Sequence, residues 1–354
     1  MNKHYLYALL AVIVLFFVAY VGAEVFGLRY IFGVLIPYLA VIVFIAGFIY
    51  KIMGWARSAV PFRIPTTCGQ QKSLPWIQPS KIDCPTSTGA VVIRMILEIC
   101  CFRSLFRNTK MGLEEGNRLT YRLEIWLWVF ALAFHYSFLV VLIRHFRFFT
   151  EPVPFFVGLL EKVDGFFRME IVYDTIQVGV PGVYLSGLVL LAAVTFLLAR
   201  RILTPQVRYI SLAADYFPLF LIFGIAFTGI LLRYFTKIDV TAAKDLAMGL
   251  VTLRPTAPEG IGGIFYAHLF LVSILLAYFP FSKLMHLGGI FLSPTRNLPT
   301  NTREKRHENP WNYPVPIHTY DEYEEEFREK MVEAGLPVEK PVEKPVEEKA
   351  DSSA

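Results

Sequence analysis

Six long apolar stretches alternate with polar connections along this chain of 354 residues. They cover approximately residues 6–23, 31–53, 121–146, 178–199, 212–235 and 262–283. A membrane helix needs about 20 predominantly apolar residues, and each stretch is close to that length. The pattern predicts an all-α integral membrane protein with six transmembrane helices. Lys3 precedes the first stretch as in a signal peptide, but a second stretch follows at once, so the first is predicted to remain as an anchor.

The composition excludes a water-soluble globular protein, since 55% of residues are hydrophobic and mean hydropathy is +0.50. Basic residues accumulate in the second connection, in the fourth and at the start of the tail. Lys and Arg mark connections that stay in the cytoplasm. The sequence therefore predicts a multi-pass protein of the cell membrane with both termini cytoplasmic. The same bias explains the net charge of +5 without any nucleic-acid partner.

Four of the seven histidines lie in two of the apolar stretches, His135 with His145 and His268 with His286. Eighteen residues make five helical turns, so His268 and His286 are expected on one face of one helix. If the two helices are antiparallel, His145 faces His268 toward the outside and His135 faces His286 toward the inside. Ten residues rise about 15 Å and eighteen about 27 Å, so Pro280 is expected to bend the second helix.

Histidines paired across two membrane helices are typical of axial ligands to b haem, and two pairs predict two haems. No Cys-x-x-Cys-His run is present, which excludes covalent haem attachment. Single polar residues in membrane helices also serve as helix-to-helix contacts. A second alternative is a proton or ion transporter that uses the histidines as a relay, although such proteins show intramembrane carboxylates and repeats that this sequence lacks.

The histidine spacings of 10 and 18 residues resemble those of the cytochrome b, or gamma, subunit of respiratory nitrate reductase. The segments 61–75 (PFRIPTTCGQQKSLP) and 144–154 (RHFRFFTEPVP) resemble membrane cytochromes of the DsrM and Hme type, from sulfite-reduction-associated electron transfer complexes. The likeness covers residues 31–294. It implies electron exchange between menaquinone and a cytoplasmic iron–sulfur subunit of heterodisulfide-reductase type in sulfite or sulfate respiration. It also implies that the chain is the quinone-reactive subunit of an oxidoreductase of several subunits. Its partners there would include other membrane subunits and cytochrome c subunits.

Three arginines lie near the predicted outer haem. Arg144 and Arg147 flank His145, and a guanidinium binds a haem propionate well; they also fit ordinary interface anchors. Arg233 is expected to be such an anchor. On the inner side Arg200, Arg201 and Lys283 lie where they could serve the second haem.

The third connection, 150–177, has an interfacial apolar character with interspersed charges. A quinone site needs an apolar slot and a group that exchanges protons with water. Glu151, Lys162 and Asp164 are the candidates for that group.

The organisation predicted is an anchor over 1–30, a dihaem domain over 31–294 with a cytoplasmic connection at 54–120, and a polar tail over 295–354 that is disordered after 337. Within 54–120, polar residues spaced helically from Arg94 to Asn108 predict an amphipathic helix. This connection is also the expected docking surface for the iron–sulfur partner. It contains all four cysteines, for which the spacing predicts no metal centre: Cys68, Cys84, Cys100 and Cys101.

Overall fold

The structure is a computed structural model that describes residues 3–58, 69–166, 169–173, 176–180, 183–236, 238–305 and 318–341, with the backbone alone over 166–180. The chain forms two compact units. The first contains the described residues up to Lys305, and the second contains those of 318–341. Cys68, most of the segment 61–75 and the tail beyond residue 341 lie outside the described residues.

Helices dominate the first unit, and a single helix forms the second. In chain order the helices are α1 (His4–Glu24), α2 (Ile36–Ala56), α3 (Thr88–Cys101), α4 (Arg103–Phe106), α5 (Ile125–His145), α6 (Phe155–Asp164), α7 (Leu185–Leu203), α8 (Pro205–Ile210), α9 (Ala213–Ile230), α10 (Val240–Val251), α11 (Gly263–Tyr278), α12 (His286–Leu292) and α13 (Tyr320–Glu333). π-helical turns precede α2 at Ile31–Leu35 and follow α9 at Leu231–Thr236.

Within the described ranges, six helices are long and apolar enough to cross a membrane, which confirms the predicted number of spans: α1, α2, α5, α7, α9 and α11. Most of their residues face outward, as expected of helices whose surroundings are lipid. The chain is therefore a mostly helical, multi-pass membrane protein.

Short antiparallel strands interrupt the connections, so the all-α expectation is wrong there. They are β1 (Thr109–Glu114), β2 (Arg118–Leu123), β3 (Gly165–Phe166), β4 (Met169–Tyr173), β5 (Ile176–Val180) and β6 (Val183–Tyr184), paired as β1–β2, β3–β6 and β4–β5. Gly116 and Asn117 adopt positive φ in the turn between β1 and β2. The third and fourth spans consequently begin later than predicted, at Ile125 and Leu185. The preceding apolar residues belong to strands.

The two membrane helices that carry histidines, α5 and α11, have different main packing partners. α5 packs on α7, whereas α11 packs on α1, α2 and α9. Small residues permit close approach: a Cβ on Gly33 would come within 2.9 Å of the Tyr266 ring. In the described part of the chain, α5 and α11 are not close packing partners.

The expectation that His268 and His286 share one continuous helix is wrong. α11 ends at Tyr278, and Ser282 takes extended backbone angles (φ −120°, ψ 175°) before α12 begins at His286. Pro280 lies in this break, as expected, because proline has no N–H for the helix and clashes with the preceding turn. His286 therefore lies on a short separate helix.

Candidate functional site

The inner histidine pair consists of His135, in the middle of α5, and His286, the first residue of α12. Their ring centroids are 5.9 Å apart, and the ring planes are nearly perpendicular at 80°. A metal–imidazole bond is about 2 Å, so two imidazoles on opposite sides of one metal have centroids about 6 Å apart. The observed separation fits that arrangement.

The outer pair consists of His145, the last residue of α5, and His268, in the second turn of α11. The two imidazoles are close enough to interact electrostatically. Gly229 on α9 leaves space for the His268 imidazole, because a Cβ at position 229 would lie 3.3 Å from the His268 Cε1 atom. These are the two pairs expected from the sequence, and the ligand role of their members stays a prediction.

All four imidazoles form a hydrogen bond through Nδ1. The partners are the backbone oxygens of Ala131 for His135 (2.7 Å), Val141 for His145 (2.7 Å) and Lys283 for His286 (2.8 Å), and the Thr228 hydroxyl for His268 (2.8 Å). A carbonyl oxygen only accepts, so Nδ1 carries the proton in three of them. The Thr228 hydroxyl donates a hydrogen bond to the Gly224 carbonyl at 2.7 Å. The hydroxyl oxygen is then the acceptor for His268 Nδ1, so Nδ1 carries the proton there too. Nε2 is then the unprotonated nitrogen in each ring, which is the arrangement of metal-binding histidines.

The donor set fits a haem. Within the described ranges, no group of three or more His, Cys, Asp or Glu residues could hold a metal ion. A metal ion held by two imidazoles alone would have most of its coordination positions unfilled by the protein. A haem iron receives four ligands from its porphyrin and can take up to two more from the protein. Each histidine pair supplies two.

Residues 120–300, half of the chain, match the family model of the nitrate reductase gamma subunit. Over 289 residues the chain is 47% identical to an Hdr-like menaquinol oxidoreductase cytochrome b-like subunit of Archaeoglobus fulgidus and 43% identical to its namesake in Archaeoglobus profundus. Both alignments cover 80% of this chain and 83% of the relative. The chain belongs to the nitrate reductase gamma family. The matched region contains all four histidines.

In this gamma-family chain, both arginines beside His145 have carboxylate partners. Arg144 forms a buried ion pair with Asp164 and lies 3.3 Å from the Ser186 hydroxyl. Arg147 pairs with Glu161 at 2.7 Å. A propionate role for Arg144 or Arg147 would have to compete with these contacts.

The three inner-side cations also have acidic neighbours. Arg200 forms a forked pair with Glu124 at 2.8 and 3.1 Å, which joins the end of α7 to the start of α5. Lys283 contacts Asp215 at 2.5 Å, and Arg201 lies 4.0 Å from the same carboxylate. These pairs hold the inner ends of the helices together.

The three quinone candidates differ in accessibility. Asp164 is buried against Arg144 and accepts hydrogen bonds from the backbone N–H and hydroxyl of Ser186 at 2.7 and 2.6 Å. Glu151 pairs with Lys244 of α10 and keeps 62% of its side chain exposed. Lys162 is exposed on α6. Of the two carboxylates, Glu151 is the one open to proton exchange.

The helix predicted from Arg94 to Asn108 is not continuous: α3 begins earlier, at Thr88, and ends at Cys101, and α4 follows it. Phe102 adopts a left-handed conformation (φ 49°, ψ 46°) that ends α3 and turns the chain into α4. Arg94 is buried, whereas Val92, Ile93 and Ile96 are more than half exposed. The polar side of α3 therefore faces the protein and its apolar side faces outward.

Sequence reasoning missed the contacts by which α3 and α4 are held beside the inner histidine pair. The Tyr136 hydroxyl donates to the Cys100 carbonyl, and the Trp128 indole N–H to the Cys101 carbonyl, both at 2.8 Å. Arg296, which follows α12, donates to Glu98 at 3.0 Å. The α3–α4 segment is thereby fastened to both elements that carry the inner pair.

A second set of ionic contacts fixes this segment. Asp83 binds Arg103 at 2.7 Å and Arg107 at 2.6 Å. Partial burial raises the pKa of Asp83, but hydrogen bonds from Arg107 and Ser80 and both arginine charges outweigh it and hold that pKa below its usual range. Cys84 is buried, while Cys100 and Cys101 are exposed.

Proposed function

We propose that this chain is the membrane dihaem cytochrome b subunit of an oxidoreductase, with His135 and His286 binding one b haem and His145 and His268 the other. The observation that carries the proposal is the common use of Nδ1 in all four imidazoles, which leaves Nε2 for iron. Bound haem would supply reversible one-electron chemistry. The hydrogen bonds at Nδ1 fix the ring orientations and raise the basicity of Nε2.

The two pairs lie at different depths, because ten residues of α5 separate His135 from His145, a rise of about 15 Å. This spacing suits electron transfer between the two membrane sides. The relatives are named as Hdr-like menaquinol oxidoreductase subunits. The electrons thus pass between menaquinol and a cytoplasmic iron–sulfur subunit of heterodisulfide-reductase type, in the respiration of sulfite or sulfate, with further membrane and cytochrome c subunits in the complex.

The proposed orientation places both termini and the α3–α4 segment in the cytoplasm. The docking surface for the iron–sulfur subunit is then the connection 54–120, next to the inner pair. The proposed menaquinol site lies on the outer side of the 31–294 domain, near His145. Glu151 and Lys162 are the groups there that exchange protons with water, and Asp164 shapes the site through Arg144.

A reduced-minus-oxidised optical spectrum of the purified protein, with haem quantified per chain, tests this proposal. We expect two low-spin b haems per chain. One haem would assign the other histidine pair a structural role. A folded preparation without haem, from haem-replete cells, would overturn the proposal and favour a proton or ion transporter.

A further inference from the structure

Arg233 is a cation near the outer pair whose guanidinium contacts aromatic rings and, among the described residues, no acid. It lies in the π-helical turn after α9, and such turns often occur at functional sites. Its Cζ is 4.0 Å from the centroid of the Tyr184 ring and 5.8 Å from that of Tyr234. Among the residues described by the structure, no carboxylate forms an ion pair with Arg233.

The two other arginines of this region, Arg144 and Arg147, each have a carboxylate partner. Arg144 is paired with Asp164, and its side chain is only 11% exposed. Arg147 is paired with Glu161. The charges of those two pairs cancel, so among these three arginines Arg233 is the one whose charge no described carboxylate balances, and its side chain is exposed.

Tyr184 positions Arg233 relative to His145. The Tyr184 ring also lies 3.6 Å from the Arg144 guanidinium, and its backbone N–H donates to the Tyr234 hydroxyl at 2.8 Å. Arg144, the residue before His145 in the chain, and Arg233 therefore contact the same aromatic ring. Tyr184 thus holds near the outer pair a cation that no described carboxylate neutralises.

We propose that Arg233 binds a propionate carboxylate of the haem at the outer pair. This rests on the proposed function, because it requires a haem between His145 and His268. A guanidinium forms two parallel hydrogen bonds with a carboxylate, and no described residue supplies Arg233 with an anion of that kind. A lipid phosphate has the same chemistry, and the experiment separates the two sources.

The experiment is a redox titration of both haems in the full-length protein carrying Arg233→Gln. A nearby positive charge stabilises the electron-rich reduced haem, so its removal lowers the outer potential. We expect about a tenfold change in the reduction equilibrium constant, which is about 59 mV for one electron. The inner haem should be unchanged and reports on folding in the same sample. Arg254→Gln removes a charge from the connection between the same two spans and should shift neither haem.

Arg233→Lys separates a carboxylate fork from a simple charge effect. Lysine keeps the charge but cannot form two parallel hydrogen bonds. We expect the outer haem of this variant to pass to a scavenger such as apomyoglobin faster than in the unaltered protein, with a smaller change in potential. Release at the unaltered rate would overturn the proposal. If Arg233→Gln loses both haems, the haem-transfer rates of Arg233→Lys and the unaltered protein still test the proposal. Loss of the outer haem alone from Arg233→Gln supports it.

Repeating the titrations without phospholipid identifies the anion. If the partner is a propionate, the effect of Arg233→Gln is the same in lipid-free detergent and in phospholipid vesicles. An effect seen in vesicles alone would assign Arg233 to a lipid phosphate and overturn the proposal. Two haems with no shift in Arg233→Gln would overturn it while leaving the proposed function intact, whereas an unaltered protein without haem would overturn both.

Discussion

The Phe102 ring meets the His135 imidazole edge to face, with centroids 4.8 Å apart and planes at 89°. Phe102 is also the left-handed residue that joins α3 to α4. One side chain therefore connects the α3–α4 segment to an imidazole of the inner pair. A partner that moves this segment acts directly on that imidazole.

Phe102→Leu should alter the inner haem and leave the outer haem unchanged. The ring contact constrains the His135 imidazole, and an aromatic pair of this kind contributes about 0.5–1.5 kcal/mol. Electron paramagnetic resonance of the oxidised protein should show changed g values for one haem only. Phe106→Leu is the matched control, since Phe106 packs on Trp128 at 5.0 Å. Equal effects of the two variants would contradict a specific role for Phe102.

Substitution of single histidines should remove the haems selectively. His145→Ala or His268→Ala should each abolish the outer haem, and His135→Ala or His286→Ala the inner one, because a haem held by ligation alone needs both axial imidazoles. Extracted haem per chain and the spectrum of the remaining haem measure this. Full haem content in any of the four variants would show that the pairing is wrong.

Gly229→Ala should weaken the outer haem. The added Cβ would lie 3.3 Å from His268 Cε1, so the imidazole has to shift from its position. Gly224→Ala on the same helix is the control, because its Cβ would make an ordinary contact of 3.5 Å with Leu271. We expect lowered occupancy of the outer haem in the first variant only, measured as haem per chain after purification. The same occupancy in both variants would argue against a haem at His268.

Thr228→Val should lower the affinity for the outer haem by about 10- to 100-fold, the usual effect of losing the hydrogen bond behind a metal-binding histidine. Valine has a similar shape but cannot accept from His268 Nδ1. The readout is the rate of haem transfer to apomyoglobin. Thr195→Val serves as the comparison, since the Thr195 hydroxyl bonds only to its own helix at the Leu191 carbonyl (2.6 Å). Unchanged transfer in Thr228→Val would refute the assigned tautomer.

Asp83→Asn should loosen the α3–α4 segment at neutral pH by about 1–2 kcal/mol, a value reduced by solvent because the Arg107 side chain is 41% exposed. The folded pKa of Asp83 is lowered. Its contribution is therefore complete above the unfolded pKa of about 3.9 and is lost as the pH falls through the folded value.

Thiol labelling of Cys84, which follows Asp83 and is buried, can track this loosening over a pH series, whereas the exposed Cys100 and Cys101 react without it. The unaltered protein should label faster as the solution becomes acidic, after correction for thiol ionisation, whereas Asp83→Asn should label fast throughout. Parallel pH profiles of the two proteins would contradict the assignment.

The parts of the fold that the sequence predicted well depend on local periodicity. The six spans follow from runs of apolar residues, and Pro280 marks the bend because its effect on a helix is local. The spacing of the histidines also anticipated which of them the structure brings together. None of these inferences needs knowledge of distant contacts.

The remaining features depend on tertiary structure. The partners of Arg144 and Arg147 lie in α6, which the sequence does not place beside them. No residue-level signal shows that Phe102 takes a left-handed conformation, which glycine adopts far more readily. The strands before α5 and α7 were counted within the spans because their apolar residues extend the same runs.

The break between α11 and α12 separates His286 mechanically from His268. A continuous helix would transmit any displacement of His286 along a rigid rod to His268. Here the extended residue Ser282 interrupts that rod, so α12 and Arg296 can follow movements of the α3–α4 segment while His268 stays fixed by α9. Movements of the α3–α4 segment can thus shift His286 without shifting His268, and among the described helices α5 is the continuous one that joins the two pairs.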